Sequence, residues 1–451
     1  MKPMFIFIFL AGWIVAAGSP VRAANEGPLT LGQLLARVAE GNPDAAVAQA
    51  RMAKARAKIG EADAAFLPRL VLGGAYSGSS NGATVFAYRG QQSSIPDGMD
   101  FNHPPESDNL NARLTAVMPL YAGGRSTAER EAARAGARAA ENGREAVMQA
   151  LEFEAARSFF TLQKARAFTA AADAAAGAYA SHLELAGKRY AEGAALKTDV
   201  LDLEVRVAEA RADAAQAESS VRLALAAMKA LLGMEQEAPL EVANINNTDL
   251  ADPTDRSDRT DGKYRADIRA AQEQVSAARA GVQAAEAGRR PRVNAFATVE
   301  ENAGVAHRGD AAAWTAGIAV EWDIFDGHLT RSRIAAAKAD LRSAQEEERR
   351  ARLEASLERE QARLGLEDAE RRLAVTGKTV GAAAESAALT RARFAEGAAL
   401  VSRLMDAESA LTTARVRRAQ AEADRQIVLA AMKKAEGKRQ TAAERNVDAR
   451  R

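Results

Sequence analysis

Arg189-Tyr190-Ala191-Glu192-Gly193-Ala194-Ala195-Leu196 is written a second time, about 204 residues on, as Arg393-Phe394-Ala395-Glu396-Gly397-Ala398-Ala399-Leu400. The match continues without a gap from Leu120-Tyr121-Ala122-Gly123 against Ile324-Phe325-Asp326-Gly327 to Met228-Lys229 against Met432-Lys433. Nearly half the residues of its last roughly 45 positions are identical, more than shared alanine content explains. Such a period is far too long for a solenoid. One structural unit has been used twice, and Gly193 and Gly397 fit a tight turn between helices in each use.

The text on either side of this turn is helical. None of the twelve prolines falls between Leu120 and Ala238 or after Pro291, and these are the regions with helical periodicity. Ser126 to Lys188 predicts a helix of roughly 90 Å, and Thr198 to Leu232 a shorter return of about 35 residues. Leu329 to Arg391 and Val401 to Glu436 repeat the arrangement. Two further helical stretches, Tyr264 to Ala287 and Leu31 to Ala65, are the right length to complete the short returns. The first is expected to stack on the return helix of the first half, the second on that of the second half.

Between the helical stretches the writing changes to period two. Leu70, Leu72 and Tyr76 alternate with Val71, Gly73 and Ala75, and Leu110, Ala112, Leu114, Ala116 and Met118 alternate with Asn109, Asn111, Arg113 and Thr115. The second half gives Val293, Ala295, Ala297 and Val299, then Trp314, Ala316, Ile318, Val320, Trp322 and Ile324. One apolar and one polar face suit a barrel wall between lipid and water, with a soluble two-sheet structure as the alternative. Two hairpins give four strands, too few to close a barrel alone but enough if several copies share one. The glycine-rich stretch from Ser77 to Asp108 reads as a long outer loop.

Composition narrows the function. The chain has 451 residues, 5% aromatic and 27% charged, with a net charge of +1, so nothing suggests nucleic acid as a partner. Runs such as Arg349-Arg350 and Arg371-Arg372 lie among glutamates and read as solvated helix faces. Lys2, the apolar run Met4 to Ala17 and Val21-Arg22-Ala23 read as a signal peptide cleaved after Ala23, with an N-terminal anchor as the alternative. There is no cysteine, hence no disulfide, thiolate metal site or lipidated N-terminal cysteine. His103, His182, His307 and His328 show no metal-ligand spacing and are expected on loops or helix surfaces. No catalytic constellation, cofactor motif or phosphate-binding glycine loop is present, so energy for any transport must come from a partner. The expected divisions are a signal peptide over 1–23, a first repeat over 24–233 with its hairpin at 66–121, and a connection over 234–263. A second repeat over 264–437 with its hairpin at 290–326 follows, then a flexible charged tail over 438–451.

The duplication, the strand-to-helix passages Leu120-Tyr121-Ala122-Gly123-Gly124 and Ile324-Phe325-Asp326-Gly327, and the Arg-Tyr-x-x-Gly…Asp-Val-Leu motif at Arg189 to Leu201 together resemble the TolC family of bacterial outer-membrane efflux proteins. The resemblance covers nearly the whole mature chain. It implies a mainly α fold with a small β part. Duplicated long-helix hairpins would form a periplasmic α-barrel, and three copies would share a twelve-stranded β-barrel in the outer membrane of a Gram-negative bacterium. It further implies a passive exit channel of a tripartite efflux or type I secretion system, whose partners are a periplasmic adaptor and an inner-membrane transporter of RND or ABC type. Leu70, Leu72, Leu114, Trp314, Ile318, Val320 and Trp322 would face lipid. The tips Arg189, Tyr190, Gly193, Leu196, Arg393, Phe394, Gly397 and Leu400 would meet the adaptor. Thr198, Asp199, Asp202, Phe394, Ser402, Arg403 and Asp406 would line the periplasmic entrance. Phe394 stands where the family's gate tyrosine is typical, and Ala399 where an arginine is found, so Arg403 is either the positive partner for Asp199 or an exposed helix residue. A periplasmic adaptor or scaffold with long coiled-coil hairpins is the alternative reading.

Overall fold

The computed structural model describes residues 27–100, 102–244, 265–306 and 309–440. The expected signal peptide, His307 and most of the expected charged tail and inter-repeat connection lie outside them. The two longest helices, α4 (Arg125–Ala191) and α7 (Leu329–Ala395), have 67 residues each, about 100 Å at 1.5 Å per residue. Each turns at a glycine with positive φ, Gly193 and Gly397, into a 35-residue return helix, α5 (Lys197–Leu231) and α8 (Val401–Ala435). The duplication read in the sequence is a duplication of structure.

The remaining length comes from α1 (Leu31–Gly41), α2 (Pro43–Ala64) and α6 (Ala266–Glu286). The helical text from Leu31 to Ala65 is not one helix. Pro43 lacks the N–H a continuing helix would use, so the chain breaks there, and the Asn42 side chain accepts from Asp44 N–H at 2.7 Å to start α2.

The stacking differs from the sequence expectation. The Asn42 side chain also donates to Leu231 O at 2.8 Å, placing the start of α2 on the end of α5. The Arg265 guanidinium, buried at the start of α6, donates at 3.5 Å to Ala435 O, the repeat equivalent of Leu231. Each return helix is therefore continued by the short helix of its own repeat, not of the other. Helix lengths fix how much must be stacked; the joining side chains decide on what. Around α4 lie α1, α2 and α5 on one side and α6 and α8 on the other, with α7 beyond.

The main apolar core sits midway along the wall, where Phe159, Phe160 and Leu162 of α4 meet Leu34 and Val38 of α1, Met228 of α5 and Ala430 of α8. A two-stranded bridge between Leu29 and Val242 ties the N-terminal segment to the connection here. The tail is anchored where it begins. Arg439 binds the buried Glu152 carboxylate, which also accepts from Gln440 N–H at 3.0 Å.

At the opposite end from the tips, β1 (Arg69–Ser79), β2 (Ser107–Tyr121), β3 (Arg292–Gly304) and β4 (Gly309–Glu321) form an antiparallel sheet in that order. The loop from Ser77 to Asp108 holds a helix the period-two reading passed over, α3 (Gly82–Gln91), started by Asn81 accepting from Ala83 and Thr84 N–H.

Candidate functional site: the tip and the sheet face

At the tip, α4, α5, α7 and α8 close on a small core of Tyr179, Leu203, Val207, Phe394, Val401 and Leu404. Phe394 belongs to this core and is only 4% exposed, whereas its repeat counterpart Tyr190 is 47% exposed. Arg189 explains part of the difference. Its guanidinium donates to Phe394 O and Ala395 O, both at 2.6 Å, and lies 5.2 Å from the Phe394 ring. A cation on the last carbonyls of α7 satisfies acceptors the helix cannot pair and complements its dipole. Leu196 and Leu400 stand exposed at the apex.

Of the residues expected to line an entrance, Phe394 ends α7 and the others sit on the first two turns of α5 and α8. Asp199 accepts from Leu196 N–H at 3.2 Å and so caps its own helix. Thr198, Asp202, Ser402, Arg403 and Asp406 make no side-chain hydrogen bond or ion pair among the described residues, and Asp199 and Arg403 do not meet within one chain.

A second cluster was not anticipated. Glu408 of α8 is 3% exposed at its side chain and accepts from Arg391 of α7 at 2.7 Å, with His182 of α4 at 3.0 Å. Burial raises the Glu408 carboxyl, but hydrogen bonds from Arg391 and His182 outweigh it and hold the pKa at about 2. His182 is thus a largely covered hydrogen-bond partner of Glu408 rather than a helix-surface residue. The sequence carried one signal of this. The repeat equivalents of His182 and Arg391 are Ser386 and Gly187, a departure from the duplication at both positions.

The sheet presents two chemically distinct faces. Leu72, Leu114, Val299 and Trp314 pair in one row across all four strands, and every one is exposed. Leu70, Ile318 and Val320 share that face, and Trp322 continues it just beyond β4. The other face is polar: Asn109 donates to Asn302 at 2.8 Å, Arg113 pairs with Glu300 at 2.9 Å, and Thr115 meets Thr298. Phe296 lies on this face because Gly317 opposite leaves room; a Cβ there would sit 3.0 Å from its ring. Helix α3 folds towards the polar face, with the buried Gln92 donating to Asn109 Oδ1 at 3.0 Å. Among the described residues there is no acidic or histidine cluster that could hold a metal, and no helix long and apolar enough to cross a membrane.

The chain is thus a long duplicated helical wall that ends in a four-stranded sheet with one exposed apolar face. The chain belongs to the outer membrane efflux protein family, whose model matches residues 34–234 and 263–438. Solved structures share the fold. The outer-membrane channel OprN is 24% identical, with a TM-score of 0.79 over 90% of this chain and 89% of that one. The outer membrane protein VceC from Vibrio cholerae is 21% identical, with a TM-score of 0.75 over 90% and 96%. The open state of the Neisseria gonorrhoeae MtrE outer membrane channel is 20% identical, with a TM-score of 0.71 over 91% and 90%. No curated protein matches the chain significantly in sequence.

Proposed function

We propose that three copies of this chain form a passive exit duct. Their twelve strands would close a barrel in the outer membrane, and their helices a tube reaching towards a periplasmic adaptor and an inner-membrane transporter of RND or ABC type, in a tripartite efflux or type I secretion system. The observation that carries the reading is a mismatch between the repeats. Leu353, Leu357, Leu364, Val375 and Leu389 of α7 are all exposed. They fall within about 40° of one another at about 100° per residue, a single stripe along the helix. Their equivalents on α4 include Phe160 and Ala171, both buried within the chain. The outer side of α5 likewise exposes Leu201, Val205 and Leu223, while the equivalents of Leu201 and Leu223, Met405 and Ile427, pack on the tip and central cores. The α7 stripe of one copy therefore fits α5 and α2 of the next, as α4 fits α8 and α6 within a chain.

The sheet agrees with this use. Its outer strands β1 and β4 each have one unpaired edge, which a membrane does not tolerate and which joining copies edge to edge removes. Exposed Leu196 and Leu400 at the tips offer apolar contact to an adaptor, beside Arg393 and Tyr190. Phe394, being buried, would support such a contact rather than make it. A periplasmic adaptor gives no use for an exposed apolar sheet face. Reconstitution in liposomes with a lipid-phase photolabel tests the duct. Label at Leu114, Ile318 and Trp322 but not at Arg113 or Thr298 is the expected result. Equal labelling of both faces, or of neither, would contradict it.

A further inference from the structure

Arg189 clamps the end of α7 inside the chain, yet its duplicate has nothing to clamp. Arg393 is exposed and makes no side-chain hydrogen bond or ion pair among the described residues. The carbonyls equivalent to those that Arg189 binds are the ones of Tyr190 and Ala191, at the exposed end of α4. We propose that Arg393 donates to Tyr190 O and Ala191 O of the next copy, its guanidinium over that tyrosine ring, so that six arginine clamps alternating within and between copies close the tip. The proposal rests on the three-copy assembly above and adds the residues that hold its entrance.

The two kinds of seam are not equally strong. Within a chain, the Arg189 clamp is backed by the buried carboxylate of Glu408 with His182 and Arg391. Between copies the equivalent positions are Glu204, Ser386 and Gly187, so the carboxylate is kept and both of its hydrogen-bonding partners are lost. Glu204 is exposed in one chain and would be covered at the seam, where a carboxylate without a cation opposes close contact. Three seams reinforced by Glu408 thus alternate with three that have the apolar stripe and Arg393 but no such cluster. The entrance yields first between copies, and each chain's pair of hairpins moves as one body.

The chain has no cysteine of its own, which makes proximity direct to read. The variant S386C/E204C, oxidised in the detergent-extracted protein, is expected to run as a covalent dimer and trimer on a denaturing gel. R393Q is expected to keep the assembled mass by light scattering while raising channel opening in planar bilayers roughly tenfold, the scale of losing hydrogen bonds from a charged donor. R189Q, still backed by Glu408, should open the channel less. Rebuilding the missing partners with G187R/S386H is expected to lower opening below wild type, and a Cβ at Gly187 meets nothing within 4 Å. Intact trimers in which S386C/E204C does not cross-link, or in which R393Q conducts like wild type, would overturn the clamp and leave the duct standing. A wild-type protein that stays monomeric would remove the assembly and the clamp with it.

Discussion

Glu408 carries a charge inside the tip, whose core is otherwise built of apolar and aromatic side chains. Its neighbours come from two elements: Arg391 on α7, and His182 with the nearby Tyr179 hydroxyl on α4. Because its pKa falls from 4.5 to about 2 on folding, the ionised form is favoured in the folded state. That stability is fully present above pH 4.5 and is lost as pH falls from there towards 2. A shift of this size corresponds to at most ~3 kcal/mol. Replacing the carboxylate forfeits these bonds and leaves the partly exposed Arg391 to water, so E408A is expected to destabilise the folded tip by at most ~3 kcal/mol. Thermal unfolding at pH 7 measures the loss, and the difference from wild type should shrink at pH 3. An unchanged difference at pH 3 would show that Glu408 contributes through packing rather than charge. Nothing in the local sequence separates Glu408 from the solvated Glu422 of the same helix. Its histidine partner lies 226 residues away in the chain, and only the broken equivalence at Ser386 and Gly187 hints at it.

At the scale of elements, length and periodicity were legible and neighbours were not. The long helices, their returns and the alternating strands follow from proline placement and from periods of 3.6 and 2 residues, which are local properties. The stacking of α2 on α5 depends on Asn42 reaching Leu231, a contact between residues 189 positions apart that no period records. The break at Pro43 was available in the sequence, since a proline preceded by asparagine starts a helix as readily as it ends one. Helix α3 was hidden by its glycines and by its small buried surface of Val85 and Arg89. Its position has a consequence for conduction. In the proposed barrel the polar face of the sheet lines the lumen, so three copies of α3 would narrow the outer mouth. Deleting residues 82–91 is expected to raise single-channel conductance with the assembled mass unchanged. Conductance equal to wild type would place α3 outside the ion path.

For the whole molecule, the central claim is that a chain too short of strands to close a barrel, and with an apolar stripe left over on α7, is one third of a tube. The same repeat that packs α4 inside the chain leaves α7 to pack on a neighbour, so the duplication gives a tube the near-equivalent seams it needs. Length agrees, because α4 and α7 each run about 100 Å from the sheet to the tip. Electron microscopy of the detergent-extracted protein tests the claim most directly. Three-fold tubes, with a helical section near 100 Å tapering away from a short barrel, are the predicted result. Monomeric particles, or an assembly without three-fold symmetry, would contradict it.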